Sequence, residues 1–143
     1  MTRYIPFNRA SLTGKEFDYV AEAIRSDHIS GDGAFTKRVQ SLLERGLGAP
    51  KALLPTSCTH ALEMAALLLD LKEGDEFIVP SYTFVSSANA FVLRGARPVF
   101  ADVDPSGNLD PREVTRLRTT RTKAVVAVHY AGSSCDLDDL RER

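Results

Sequence analysis

Ser57, Cys58, Thr59 and His60 place two hydroxyls, a thiol and an imidazole at consecutive positions, after the apolar Leu53-Leu54-Pro55 and before Ala61-Leu62-Glu63-Met64. The apolar run reads as a short buried strand broken at Pro55, and a helix follows it. Small hydroxyl residues at a strand-to-helix junction make a seat for an anion. The first N–H groups of a helix have no internal partner, and the helix dipole adds partial positive charge there. A phosphate is the natural guest. Two other readings of these residues stay open. Ser57 or Thr59 is a plain helix N-cap. Alternatively, Cys58 is a nucleophile activated at a helix terminus, with His60 or His129 as its base. No third orienting group is visible for that chemistry, and free cysteine often serves as a small buried hydrophobe.

The segment Pro80-Ser81-Tyr82-Thr83-Phe84-Val85-Ser86-Ser87 offers aromatics just after a strand. There a planar ligand could stack on a ring, or the rings could fill space under the next helix. His129, in His129-Tyr130-Ala131-Gly132, ends another strand and either meets a ligand or caps the strand with a satisfied hydrogen bond. Asp102 and Asp104 follow a strand as a magnesium site requires. Asp104-Pro105-Ser106-Gly107, however, is turn chemistry, and the turn is the favoured reading. His28, in a glycine-rich loop, reads as solvated. No G-x-G-x-x-G or G-x-x-x-x-G-K-[ST] pattern is present, which removes the dinucleotide and P-loop nucleotide readings.

The elements that must position these groups follow from spacing. Thr13-Gly14-Lys15-Glu16 has the form of a capping box. Phe17, Val20, Ala21 and Ile24 then recur at helical spacing to about Ser26. Residues 26–33 are a loop by composition. A second helix carries Phe35, Val39, Leu42 and Leu43 on one side, and Gly46 and Gly48 end it. From there strand and helix alternate. The expected strands are 52–54, 76–79, 98–101 and 124–128. Helices are expected over 59–69 and 85–93, and after the Asp110-Pro111 cap, with a last one opening at Asp136. This rhythm predicts an α/β fold, a mostly parallel sheet with flanking helices. Short, wholly apolar strands agree, because parallel strands are covered on both faces. Ligands of such sheets bind at the carboxyl ends of the strands, which selects residues 55–60, 80–87, 102–108 and 129–135.

Composition sets the outer bounds. The chain has 143 residues, is 43% hydrophobic and 26% charged, and carries a net charge of −1. That suits one domain with a real core and gives no electrostatic case for nucleic acid or an anionic membrane. No apolar run approaches a bilayer span, and the first residues lack the apolar core of a signal peptide. Cys58 and Cys135 lie far apart with no C-x-x-C, so neither a disulfide framework nor a zinc site is expected, and a reducing cytoplasm is.

Taken in order, these segments resemble the DegT/DnrJ/StrS-type sugar aminotransferases, vitamin B6 enzymes of fold type I. The resemblance is carried by Ile5-Pro6-Phe7-Asn8, Ser30-Gly31-Asp32-Gly33 with Phe35, Ser57-Cys58-Thr59, Glu73-Gly74-Asp75-Glu76 and residues 80–86. It continues through residues 95–100, Asp102-Val103-Asp104 and residues 128–132, nearly end to end. Residues 62–70 and 81–95 look especially like the subgroup that aminates dTDP-4-keto-6-deoxyglucose, with glutamate as donor, for surface polysaccharides.

The resemblance implies that the chain is the N-terminal part of the large, cofactor-binding domain. Residues 1–50 would form an arm and two helices, and 51–143 the βα repeats. It implies pyridoxal 5′-phosphate as cofactor, with the phosphate held by Ser57, Cys58 and Thr59. Cys58 stands where many members have glycine, at a position asked only for its backbone. Phe84 matches the aromatic that stacks on the pyridine ring, and His129 lies at the strand end facing the cofactor. The lysine that links to the cofactor matches none of Lys15, Lys37, Lys51, Lys72 or Lys123. No catalytic residue is therefore expected in this chain, and an inactive fragment or a partner subunit is the competing expectation. A homodimer is implied as well. A parallel sheet ending at its fourth strand would leave an open edge and bare helix faces, so the chain alone is expected to be unstable or sticky.

Overall fold

A computed structural model describes residues 4–143, and the chain divides into two compact units, residues 1–54 and 55–143. In the first unit α1 spans Glu16–Arg25 and α2 spans Ala34–Leu47. The capping box forms by half. The Glu16 carboxylate reaches back to the Thr13 N–H at 2.6 Å and its hydroxyl at 2.8 Å. Lys15 occupies the cap position, and no side chain caps the helix. α2 stops at Gly48, whose left-handed backbone (φ 63°) only glycine adopts without strain. Tyr19 and Phe35 meet edge to face at 5.6 Å, with the Arg38 guanidinium 4.9 Å from the Phe35 ring centre. The periodic faces predicted for these helices exist, but neither helix has a buried residue, and Phe17, Val20, Ile24 and Leu42 are exposed.

The expected strand at 52–54 does not form. The Ala52 N–H, which a ladder would need, donates to the Glu44 carboxylate at 3.0 Å, and Leu53 and Leu54 are exposed. A strand is defined by its neighbour, and among the described residues none pairs with it.

In the second unit α3 (Cys58–Leu68), β1 (Glu76–Pro80), α4 (Ser86–Val92), β2 (Arg97–Ala101), α5 (Pro111–Leu117), β3 (Thr122–Val125) and α6 (Leu137–Glu142) follow in order. The sheet has order β2-β1-β3, and both pairings are parallel. The α/β fold and its parallel sheet are as expected, with three strands in place of four. The fourth predicted strand starts two residues early, at Thr122, and slips register between Glu76 and Phe77.

β1 is central and buried throughout, and its side chains alternate between two cores. Phe77 and Val79 pack with Ala66 of α3 and with Ala90 and Phe91 of α4, and the Phe77 and Phe91 rings stack at 4.9 Å. Ile78 packs on the other face with Ala101, Leu109 and Val114 of α5 and with Leu140 of α6. Full burial of a side chain such as Phe77 stabilises by about 1.5–3 kcal/mol. Coverage on both faces holds for β1 alone. On the outer strands Phe100 and Val125 are exposed.

Candidate functional site at the carboxyl end of the sheet

Parallel strands bring all their carboxyl ends to one edge, where three loops converge: residues 81–85, 102–110 and 126–136. α3 leads through residues 69–75 directly into β1, packs on α4, and joins through Leu62 and Ala66 the core built by Phe77 and Val79, so its amino end lies toward this same edge.

At that helix end Ser57 is the N-cap, its hydroxyl oxygen accepting the His60 N–H at 3.1 Å. Such a cap is worth about 1 kcal/mol. The capping reading is thus realised by Ser57 and not by Thr59. It does not compete with anion binding, because a hydroxyl that accepts one hydrogen bond keeps its proton to donate. The first intrahelical bond at this end is from the Ala61 N–H to the Ser57 carbonyl. Among the described residues the N–H groups of Cys58 and Thr59 meet no acceptor. Cys58 is exposed, and Thr59 is half-buried. These features fit a phosphate: two open N–H groups, a spare hydroxyl and the positive end of an 11-residue helix.

Phe84 lies just before α4 with 72% of its surface exposed, so its ring is open to a ligand and fills no core. His129 follows β3 and is exposed, with its Nδ1 accepting the Cys135 N–H at 3.0 Å. The strand-end hydrogen bond is therefore present. It leaves the proton of the neutral ring on Nε2, free to face a ligand. The cysteine-nucleophile arrangement finds less support. His60 bonds the Thr56 hydroxyl through Nδ1 at 2.6 Å, and His129 is engaged by Cys135.

The structure adds residues that the sequence did not single out. Asn108 is 3% exposed and ties two loops together. Its amide nitrogen donates to the carbonyls of Ser133 and Ser134, both at 3.2 Å, and its oxygen accepts the Tyr130 N–H at 3.0 Å. Tyr130 and Tyr82 sit ring against ring, centroids 4.5 Å apart, with the Tyr130 hydroxyl donating to that of Tyr82 at 2.7 Å. This bond holds the Tyr130 phenol above its ordinary range. No local signal marked Asn108, because the partners that bury it lie 22 to 26 residues further on.

That turn is as expected. One Asp104 carboxylate oxygen accepts the Ser106 N–H at 2.8 Å and the Ser106 hydroxyl at 2.5 Å, and holds this carboxyl below its usual range. Of the lysines, Lys51 pairs with Glu44, Lys72 with Asp70, and Lys123 is exposed on β3. None lies on the three loops.

The opposite end of the sheet is built differently. Glu76, 1% exposed, opens β1, and its carboxylate accepts from the Thr119 hydroxyl, from Arg97 and from Arg121. Thr119, then Arg97 and Arg121, hold its carboxyl at about 2. A polar cleft of about 410 Å³ lies beside this group, and a cleft of about 620 Å³ lies in the first unit against Tyr19, Phe35 and Arg38. Neither touches the three loops.

Known proteins resemble this chain over nearly its whole length. Relatives include a GDP-perosamine synthase of Escherichia coli O157:H7, 36% identical over 141 residues, covering 98% of this chain and 39% of the relative. A UDP-4-amino-4-deoxy-L-arabinose--oxoglutarate aminotransferase of Shewanella sediminis is 38% identical over 98% of this chain and 37% of its own length. Among solved structures, a sugar aminotransferase of Streptococcus pneumoniae in its PMP form superposes with a TM-score of 0.87 at 31% identity, over 97% of this chain and 35% of that one. The chain thus spans between a third and two fifths of the length of these proteins. The sequence pattern of the DegT/DnrJ/EryC1/StrS aminotransferase family matches residues 10–142, and the chain belongs to that family.

Proposed function

We propose that this chain supplies the cofactor-placing part of a pyridoxal phosphate-dependent aminotransferase that aminates a nucleotide-linked keto sugar. The observation that carries the reading is the amino end of α3. The unpaired N–H groups of Cys58 and Thr59 sit there beside the Ser57 hydroxyl, at the carboxyl edge of a parallel sheet. In this reading those N–H groups and the hydroxyls of Ser57 and Thr59 hold the phosphate. The exposed Phe84 ring stacks on the pyridine. His129, its Nδ1 fixed by Cys135, offers Nε2–H to the cofactor's edge. When bound, the cofactor supplies the electron sink and carries the amino group from donor to sugar. The chain's own residues bind and orient it. No lysine among the described residues is assigned the covalent link.

For the substrate, we take dTDP-4-keto-6-deoxyglucose with glutamate as donor. Relatives named for GDP- and UDP-linked sugars support a nucleotide-linked substrate, and the oxoglutarate in one of those names supports glutamate. The product would be an amino sugar for surface polysaccharide, made by a homodimer in a cytoplasm that suits two free cysteines. No described helix is long and apolar enough to cross a membrane. A partner-subunit role is favoured by one feature, the exposed Leu67-Leu68-Leu69 at the end of α3, which asks for a covering surface.

The test is cofactor binding in the protein that carries this chain, comparing pyridoxal phosphate with phosphate-free pyridoxal, followed by amination of dTDP-, GDP- and UDP-linked 4-keto sugars with glutamate. Tighter binding of the phosphorylated form, weakened by Thr59→Val, and amination of the dTDP sugar are expected. Equal affinity for the two vitamers would remove the phosphate seat.

A further inference from the structure

Tyr82 and Tyr130 have no role in holding the cofactor as proposed above, yet they are the most constructed feature of the carboxyl end. Along β1, Phe77 and Val79 face α3 and α4, and Ile78 faces α5 and α6. The phosphate seat belongs to α3, and Phe84 leads into α4. Tyr82 instead joins the loops that run into α5 and α6. Its ring lies against Tyr130, and both rings lie over Gly107, within 3.6–3.8 Å of where a side chain there would begin. Gly107 has φ +85°, a backbone conformation that strains any residue with a side chain. The tyrosines therefore add a second wall to the site, which meets the cofactor residues only through His129, next to Tyr130 in the chain.

Tyr130 is the donor at both ends of this wall. The Asn108 side-chain oxygen accepts the Tyr130 N–H and fixes the loop. Its amide nitrogen is spent on the Ser133 and Ser134 carbonyls. The Tyr130 hydroxyl then donates to the Tyr82 oxygen. Tyr82, 52% exposed, keeps its own hydroxyl proton with no acceptor among the described residues. An aligned donor beside two aromatic faces suits a ligand with apolar C–H faces and oxygen acceptors, which is the chemistry of a sugar.

We propose that Tyr82 is a specificity-determining residue for the sugar nucleotide, donating its hydroxyl to a sugar or phosphoryl oxygen, and that Tyr130 and Asn108 are positioning residues that aim it. The inference rests on the aminotransferase reading. Tyr82→Phe and Tyr130→Phe keep both rings and remove one hydroxyl each. Both are expected to raise KM for dTDP-4-keto-6-deoxyglucose about three- to tenfold, the worth of one neutral hydrogen bond. KM for glutamate, affinity for pyridoxal phosphate and melting temperature stay unchanged. The double variant is no worse than Tyr82→Phe, because both substitutions break one relay. Asn108→Ser is expected to reproduce the KM effect with a lower melting temperature. Calorimetric binding of dTDP-glucose to the same proteins reads the contact without turnover. A wild type that binds the sugar nucleotide but aminates nothing defeats the aminotransferase reading alone. Unchanged KM and unchanged dTDP-glucose affinity in both phenylalanine variants overturn the inference, as does an equal shift for glutamate or the cofactor.

Discussion

The two ends of β1 show how one strand serves two purposes. At its amino end Glu76 is buried and its carboxylate is used by Arg97 of β2 and by Thr119 and Arg121 of the connection into β3. Beyond its carboxyl end, Phe84 is exposed, and the N–H groups of Cys58 and Thr59 point to no acceptor. The amino end closes on itself, and the carboxyl end stays open. Among the described residues no buried side-chain nitrogen or oxygen lacks a partner. The open N–H groups belong to exposed Cys58 and half-buried Thr59, where leaving them unpaired costs less than it would in the core. Stability and binding are thus separated by the length of a five-residue strand.

Glu76→Ala is expected to break that contrast most severely. It leaves Arg97 and Arg121 facing each other across an emptied buried position and should lower the melting temperature by on the order of 10 °C. Cofactor affinity below the new transition should hold. A loss of affinity with no loss of stability would mean that the ends are not separate. The same carboxyl gives a pH signature. A carboxylate held at about 2, against an ordinary 4.5, contributes stability that is present above pH 4.5 and lost as pH falls toward 2. Melting temperature followed over that window should fall less steeply in Glu76→Gln than in the wild type.

At the open end, Phe84→Ala should leave the melting temperature within about a degree, since the ring packs on little, and weaken pyridoxal phosphate binding by about 0.5–1.5 kcal/mol, or two- to tenfold. A stability loss without an affinity loss would make Phe84 a packing residue after all. The smallest effect is expected at Cys58, where only the backbone N–H is used. Cys58→Ala should change stability and cofactor affinity by less than about 0.5 kcal/mol. Iodoacetamide should label exposed Cys58 well before Cys135, which is 4% exposed, and bound cofactor should slow that labelling.

Much of the site was legible because its parts are local. The helix after Ser57, the Asp110 cap with Pro111, the Asp104 turn and the Asp136 cap depend on neighbours two to four positions away, and each forms. The segment at 52–54 misled because its apolar composition specified burial without a partner strand. The apolar stripes of α1 and α2 misled in the same way, predicting a face but not what covers it. Asn108 was invisible for the opposite reason. An asparagine after a turn reads as solvent-facing, and only the return of the chain at 130–134 supplies its three partners.

The sequence by itself determined the alternation of strand and helix, the hydroxyl-rich helix start at Ser57 and the ordered segments that mark the family, because these are properties of short windows and their spacing. Only the tertiary structure decided that β1 is the central strand, that Glu76 is clasped at one end, and that Tyr82, Asn108 and Tyr130 meet at the other. Those contacts join residues far apart in the chain. Their existence depends on which strands pair and in what register, and no local pattern encodes that.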